Sequence, residues 1–204
     1  METTTDTTES ATQTLAAMDV RIGIVEAALR VLSRQSYRRT TLRDVADEAG
    51  MTLEQVGEHF PTWPGLVMAT LHHWQTLRTA HLLDVGRDHG VLEFMRRLVE
   101  ENLDDPVMAR LLVMVLAEAM DPTHPSAPYL QTRYEAFHQT ILTAVEHDIA
   151  MGRLPHDLQA DHAAELILGL WEGLWMQFLL RPQMDMQAAF DRALGVLVRD
   201  WRVV

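Results

Sequence analysis

The chain has 204 residues, 48% of them apolar, which permits one large or two small domains with a proper core and excludes disorder over most of its length. It contains no cysteine, so a disulfide framework and a thiolate metal site are both excluded. The net charge of −12 is the wrong sign for a protein that coats nucleic acid, but the charge is uneven: from Val20 to Pro64 six Arg meet six acids. A DNA-facing end on an acidic body is therefore permitted.

Residues 1–16 are Thr-rich and acidic, with no basic stretch followed by an apolar one. They read as a disordered leader, not a signal peptide. Beyond them, apolar residues recur at helical spacing and strand-like alternation is nearly absent, which predicts an all-α fold of nine helices. The first predicted helix runs from Met18 to Gln35, with Ile22, Val25, Leu29 and Leu32 as its apolar stripe. The second covers Leu42 to Ala49, with Thr41 as N-cap and Gly50 as a left-handed C-cap. The third starts after Thr52, whose spacing to Gln55 is that of a capping box, and ends near Phe60-Pro61. The fourth begins around Pro64 and continues to Val85, and the fifth spans Val91 to Leu103. The sixth, Val107 to Met120, is apolar nearly all round and reads as central and buried. Its core, Leu111 to Ala117, is the longest apolar run at seven residues, far short of the ~18–20 a membrane span needs. The seventh (Tyr129 to Met151), eighth (Leu158 to Leu180) and ninth (Met186 to Trp201) are separated by Gly152-to-Pro155 and Pro182. A cytoplasmic protein without a membrane partner is expected.

Two short helices joined by a Gly-containing turn form a helix-turn-helix pattern, with the first helix completing a three-helix head. Val45, Ala46, Ala49, Leu53, Val56 and Phe60 are spaced to pack that head. The run EAALRVLSRQSYRRTTLRDVADEAGMTLEQVGEHFPTWPGLV resembles the head of the tetracycline-repressor (TetR) family. The resemblance rests on the Ala-Ala pair of helix one, the Thr-Thr pair capping helix two, and the V-A-x-x-A-G-M-T pattern across the turn. It implies a nine-helix TetR-like fold, with a DNA-binding head over residues 17–63 and a ligand-binding and dimerisation domain over 64–204. Two of the family's phosphate contacts are replaced: its helix-three Tyr falls at Gly57 and its Lys before helix four falls at Trp63. Glu54 and Glu58 add repulsion toward phosphates. The candidates left for DNA are Arg38, Arg39 and Arg43 for phosphates, the Thr41 cap, Thr52 for a thymine methyl, Gln55 for adenine, His59, and Trp63 for a sugar or phosphate. The alternative is a head that has lost DNA contact and acts through a ligand or a partner regulator.

The eighth and ninth predicted helices carry broad apolar faces, which suit a homodimer pairing these helices as a four-helix bundle. Such a dimer would set two recognition helices about one DNA turn (~34 Å) apart on a palindromic operator. The segment from Gly152 to Pro182 also resembles, more loosely, the C-terminal domain of betaine-regulator-like members. Trp74, Arg78, Met95, Met108, Leu112, Phe137, His138, Trp171 and Trp175 are the candidates to line a pocket for a small apolar or amphipathic ligand. Further polar candidates are His73, His81, Glu118 and Tyr134. The histidines lack metal-ligand spacing, and there is no nucleophile elbow, phosphate loop or zinc-protease motif. Neither a cofactor nor an enzymatic activity is expected, and a ligand-responsive repressor is the function these features favour.

Overall fold

The computed structural model describes residues 3–201, with side-chain surroundings from Leu15 onward. Among these residues ten α-helices run in order: α1 Thr3–Arg34, α2 Leu42–Ala49, α3 Leu53–His59, α4 Trp63–Thr79, α5 Leu82–His89, α6 Val91–Leu103, α7 Pro106–Glu118, α8 Ala127–Ala150, α9 Ala160–Leu180 and α10 Met186–Trp201. A 3-10 turn, Tyr37–Arg39, precedes α2. Two compact units divide the chain, Met1–Gln75 and Thr76–Val204.

α1 runs from Thr3 to Arg34, and the first predicted helix, Met18 to Gln35, forms its second half. Its buried stripe is Ile24, Val25, Ala27, Ala28, Val31 and Leu32, whereas Ile22 is exposed. The N-terminal compact unit runs to Gln75, and the start of α4 is part of its core: Leu66 is fully buried there, with Trp63 and Ala69 packed alongside. The fourth predicted helix is two helices, α4 and α5, with a turn at Ala80 and His81. The break buries Leu82 and brings Gly86 against Phe94 of α6, where an added Cβ would sit 3.4 Å from the Phe94 Cβ.

In the N-terminal unit both short helices start with a complete capping box. The Thr41 hydroxyl accepts from Asp44 N while the Asp44 carboxylate accepts from Thr41 N, and Thr52 and Gln55 repeat the exchange. Such reciprocal bonds satisfy N–H groups that a helix start leaves without partners. Gly50 ends α2 at φ 66°, a left-handed conformation that glycine adopts without a Cβ penalty. The Met51 N–H then closes back on Ala46 O at 2.9 Å, fixing the turn. Val45, Ala46, Val56 and Phe60 pack on Ile24, Ala27 and Ala28 of α1. The two small alanines let the short helices approach α1 closely. Arg21 reinforces this packing: it donates to the His59 carbonyl and lies over the Phe60 ring, 4.2 Å from its centroid. Glu48 of α2 ties the other end to Arg30, at 2.7 Å, and to Arg34 of α1.

In the C-terminal unit, Met95, Val99, Met108, Ile141, Ile167 and Phe190 make a dry core contributed by α6 to α10. α6 begins at Gly90 (φ 93°), and its Val91 N–H donates to the buried Asp148 carboxylate of α8 at 2.8 Å. Arg153 neutralises that carboxylate at 2.9 Å and also donates to the carbonyls of Arg87 and Asp88, so a buried charge is paired and hydrogen-bonded. α7 is not wholly buried as expected. Met108, Ala109, Leu111 and Val115 face the core, but Leu112, Val113 and Leu116 stay half-buried. α9 is the one described helix long and apolar enough in composition to cross a membrane, although Glu165 and Glu172 interrupt it.

Candidate functional site

The head presents an outward surface built from the ends of α2 and α3. Arg38, Arg39, Thr41, Arg43, Thr52 and Gln55 are all exposed. Arg38 and Arg39 sit on the 3-10 turn and Arg43 in the first turn of α2, so three guanidinium groups flank one helix start. Arg30 and Arg34, by contrast, are committed to Glu48. Hydrogen bonds first from Arg30 and then from Arg34 hold the Glu48 carboxyl below its usual range.

α3 buries Val56 and turns Glu54, Gln55 and Glu58 outward. Leu53, spaced for the core, is instead 41% exposed. The Gln55 side chain is partly engaged: its Oε1 accepts from Thr52 N at 2.8 Å. While the capping box is closed, Gln55 offers DNA a donor amide, not the donor–acceptor pair that reads adenine. His59 and Trp63 are half-buried. Trp63 packs on the head core and stacks with Tyr37, ring centroids 6.1 Å apart and planes 19° apart, so it closes the core more than it faces outward.

The C-terminal unit holds a cavity of about 440 Å³, within the range of ordinary small-molecule sites. The half-buried face of α7 forms one wall through Leu112, Val113 and Leu116, while Leu130, Gln131 and Tyr134 of α8 and Trp171, Glu172, Trp175 and Met176 of α9 complete much of the rest. This explains an α7 that is apolar all round: one side faces core and another faces cavity. Trp171 and Trp175 meet edge to face at 6.5 Å. Their Nε1–H groups are buried without an acceptor among the described residues. The Tyr134 phenol is pushed up to about 12, first by burial and then by its hydrogen bond to the Glu172 carboxylate. It therefore stays a neutral donor.

Of the predicted ligand residues, Leu112, Trp171 and Trp175 line this cavity. Phe137 stands behind it against Trp171, ring centroids 5.7 Å apart. Met95 and Met108 are fully buried core instead. Arg78 is paired with Glu101 at 3.5 Å, and Trp74 belongs to the N-terminal unit. His138 lies outside the lining, with its Nδ1 buried and without a partner among the described residues. Tyr134 is one of the polar candidates read from the sequence, whereas Glu172 is not. Its place one residue after Trp171 on a helix was the available signal. A larger cleft of about 930 Å³ runs past His81, Arg96, Arg97, Glu100 and Arg153. Its charges largely satisfy one another, with Arg96 on Glu93 at 3.6 Å and Arg97 on Glu100 at 2.9 Å, so the smaller aromatic cavity is the better ligand candidate.

A doubly capped helix-turn-helix head, joined in one all-helical chain to a unit with an aromatic cavity, defines a helix-turn-helix transcriptional regulator. Residues 24–67 match the family described as bacterial regulatory proteins, tetR family, and residues 91–199 match BetI-type transcriptional repressor, C-terminal. The chain belongs to the TetR family of transcriptional regulators. It is 29% identical to the HTH-type transcriptional regulator TtgR of Pseudomonas putida over 194 residues, covering 89% of this chain and 92% of that one. Among solved structures it resembles a TetR transcription regulator from Haloarcula marismortui (TM-score 0.76, 18% identity, 87% of this chain and 96% of that one). It also resembles a transcriptional regulator from Saccharomonospora viridis in complex with choline (TM-score 0.70, 22% identity, 87% and 95%). The family and these relatives are regulators, not enzymes.

Proposed function

We propose that the protein is a ligand-responsive repressor that binds a palindromic operator as a homodimer and changes its operator affinity when a small apolar or amphipathic molecule enters the C-terminal cavity. The observation that carries this reading is the pairing, in one chain, of an exposed, doubly capped α2–α3 surface with an aromatic cavity. In this reading Arg38, Arg39 and Arg43 meet phosphates, and Gln55 and Thr52 approach base edges. The molecule would act in the cytoplasm, where the operator lies.

Dimerisation through α9 and α10 is supported by an apolar face that the chain itself leaves uncovered. Leu166, Met176 and Leu180 on α9 and Val196 on α10 are exposed. Gly169 and Gly173 on α9 and Gly195 on α10 sit within helices, with nothing inside 4 Å of an added Cβ. Each costs about 1 kcal/mol of helix stability relative to Ala, and close approach of a second copy gives a reason to keep them. α4 carries the chain from the first unit into the second. A ligand switches the protein only as far as it binds the two operator-affinity states differently; a few kcal/mol suffices.

A second reading, a regulator that has lost DNA contact and acts through a ligand or protein partner, is favoured by the outward Glu54 and Glu58. A mobility-shift titration of the purified protein on its own upstream DNA at two salt concentrations separates the two. Binding that weakens with salt supports the repressor, and no binding even at low salt favours the partner reading.

A further inference from the structure

The cavity wall is asymmetric in charge. Glu172 is the one ionised group among the described residues that line it, and neither Arg nor His stands with it there. Its bond from Tyr134 is donated by a neutral phenol, which leaves the negative charge in place. A carboxylate accepts at several lone pairs, so one phenol leaves most of them open. Glu172 is half-buried against hydrocarbon, where a negative charge is better satisfied by a cation than by water alone. Beside Glu172 stand Trp171 and Trp175, and indole faces attract cations through their quadrupole. Leu112, Leu116 and Met120 extend the wall with hydrocarbon well beyond what a small ammonium group needs.

We propose that the cavity selects lipophilic organic cations, with the positive centre held by the Glu172 carboxylate and the Trp171 and Trp175 indoles, and the hydrocarbon on the α7 wall. This deepens the ligand-site reading above and rests on it. A lipophilic anion of the same shape would bring like charge against Glu172 and is disfavoured.

The test uses full-length protein and two ions of nearly equal shape and opposite charge, tetraphenylphosphonium and tetraphenylborate, with neutral Nile red as a third probe, all followed by calorimetry. The phosphonium is expected to bind at least about tenfold more tightly than the borate. In Glu172→Gln that preference should fall to nearly none while Nile red keeps its affinity, which reports an intact fold and cavity. Borate binding equal to or tighter than phosphonium, or a preference unchanged in Glu172→Gln, overturns the proposal. Nile red binding that is blocked by the cavity-filling Leu116→Trp, without any charge preference, leaves the ligand site standing and removes the cation. If none of the three probes binds, both the cation selectivity and the ligand-site reading fall.

Discussion

At the scale of single residues, Gly90 and Asp148 set the start of α6. A Cβ at Gly90 would lie 2.5 Å from the Asp148 Oδ2, and φ there is 93°. Gly90→Ala must therefore displace a buried, paired carboxylate as well as strain the backbone. A loss of more than about 2 kcal/mol in urea unfolding is expected. Gly152→Ala is the control: φ is 70° but the space is open, so only the backbone strain, about 1 kcal/mol, should appear. Asp44 gives a pH prediction. Hydrogen bonds from Thr41, side chain first and then backbone, lower its carboxyl from the ordinary 3.8. A group with a depressed folded value stabilises fully above its unfolded value and loses that contribution as pH falls through the folded one. Asp44→Asn should therefore lower stability at neutral pH and flatten the acid limb, the two stability curves converging as pH falls below about 4; an undiminished neutral-pH stability or an unaltered acid limb in thermal melts would contradict this.

At the scale of elements, the caps and breaks were legible in the sequence because they are local. Thr41, Gly50 and Thr52, with Pro155 and Pro182, each act on a turn of chain, and α2, α3, α9 and α10 lie where these residues put them. The division of α4 from α5 was not legible: residues 79–82 contain neither Gly nor Pro, and burial of Leu82 dictates the turn. The cavity was legible only in part. Helical periodicity shows that Met95, Met108, Leu112 and Trp171 face inward, but not whether the space in front is filled. Met95 and Met108 meet packed side chains, while Leu112 and Trp171 border the cavity. Gly57 in α3 also meets nothing within 4 Å of an added Cβ, so Gly57→Ala should raise stability by about 0.5–1 kcal/mol in thermal unfolding. The α9 face supplies another test. A Cβ at Gly173 meets nothing within its own chain, so Gly173→Leu should leave helicity by circular dichroism unchanged while shifting sedimentation toward the monomer. A dimer of undiminished strength would remove α9 from the interface.

At the scale of the whole molecule, the charge distribution is the informative quantity. A chain of net charge −12 that binds DNA must do so with few cations, and Arg38, Arg39 and Arg43 are the exposed ones at the head's outward surface. On the proposed reading the acidic remainder opposes non-specific binding, so discrimination between operator and random DNA should be large even though total phosphate contact is small. The most direct measurement is a salt titration of the purified protein on a duplex selected from random sequence, with stoichiometry read in the same experiment. Two chains per duplex are predicted, with a log–log salt slope of about −5, the value for roughly six phosphate contacts from two heads. Failure to select any sequence at low salt, or saturation at one chain per duplex, would contradict a dimeric operator-binding regulator.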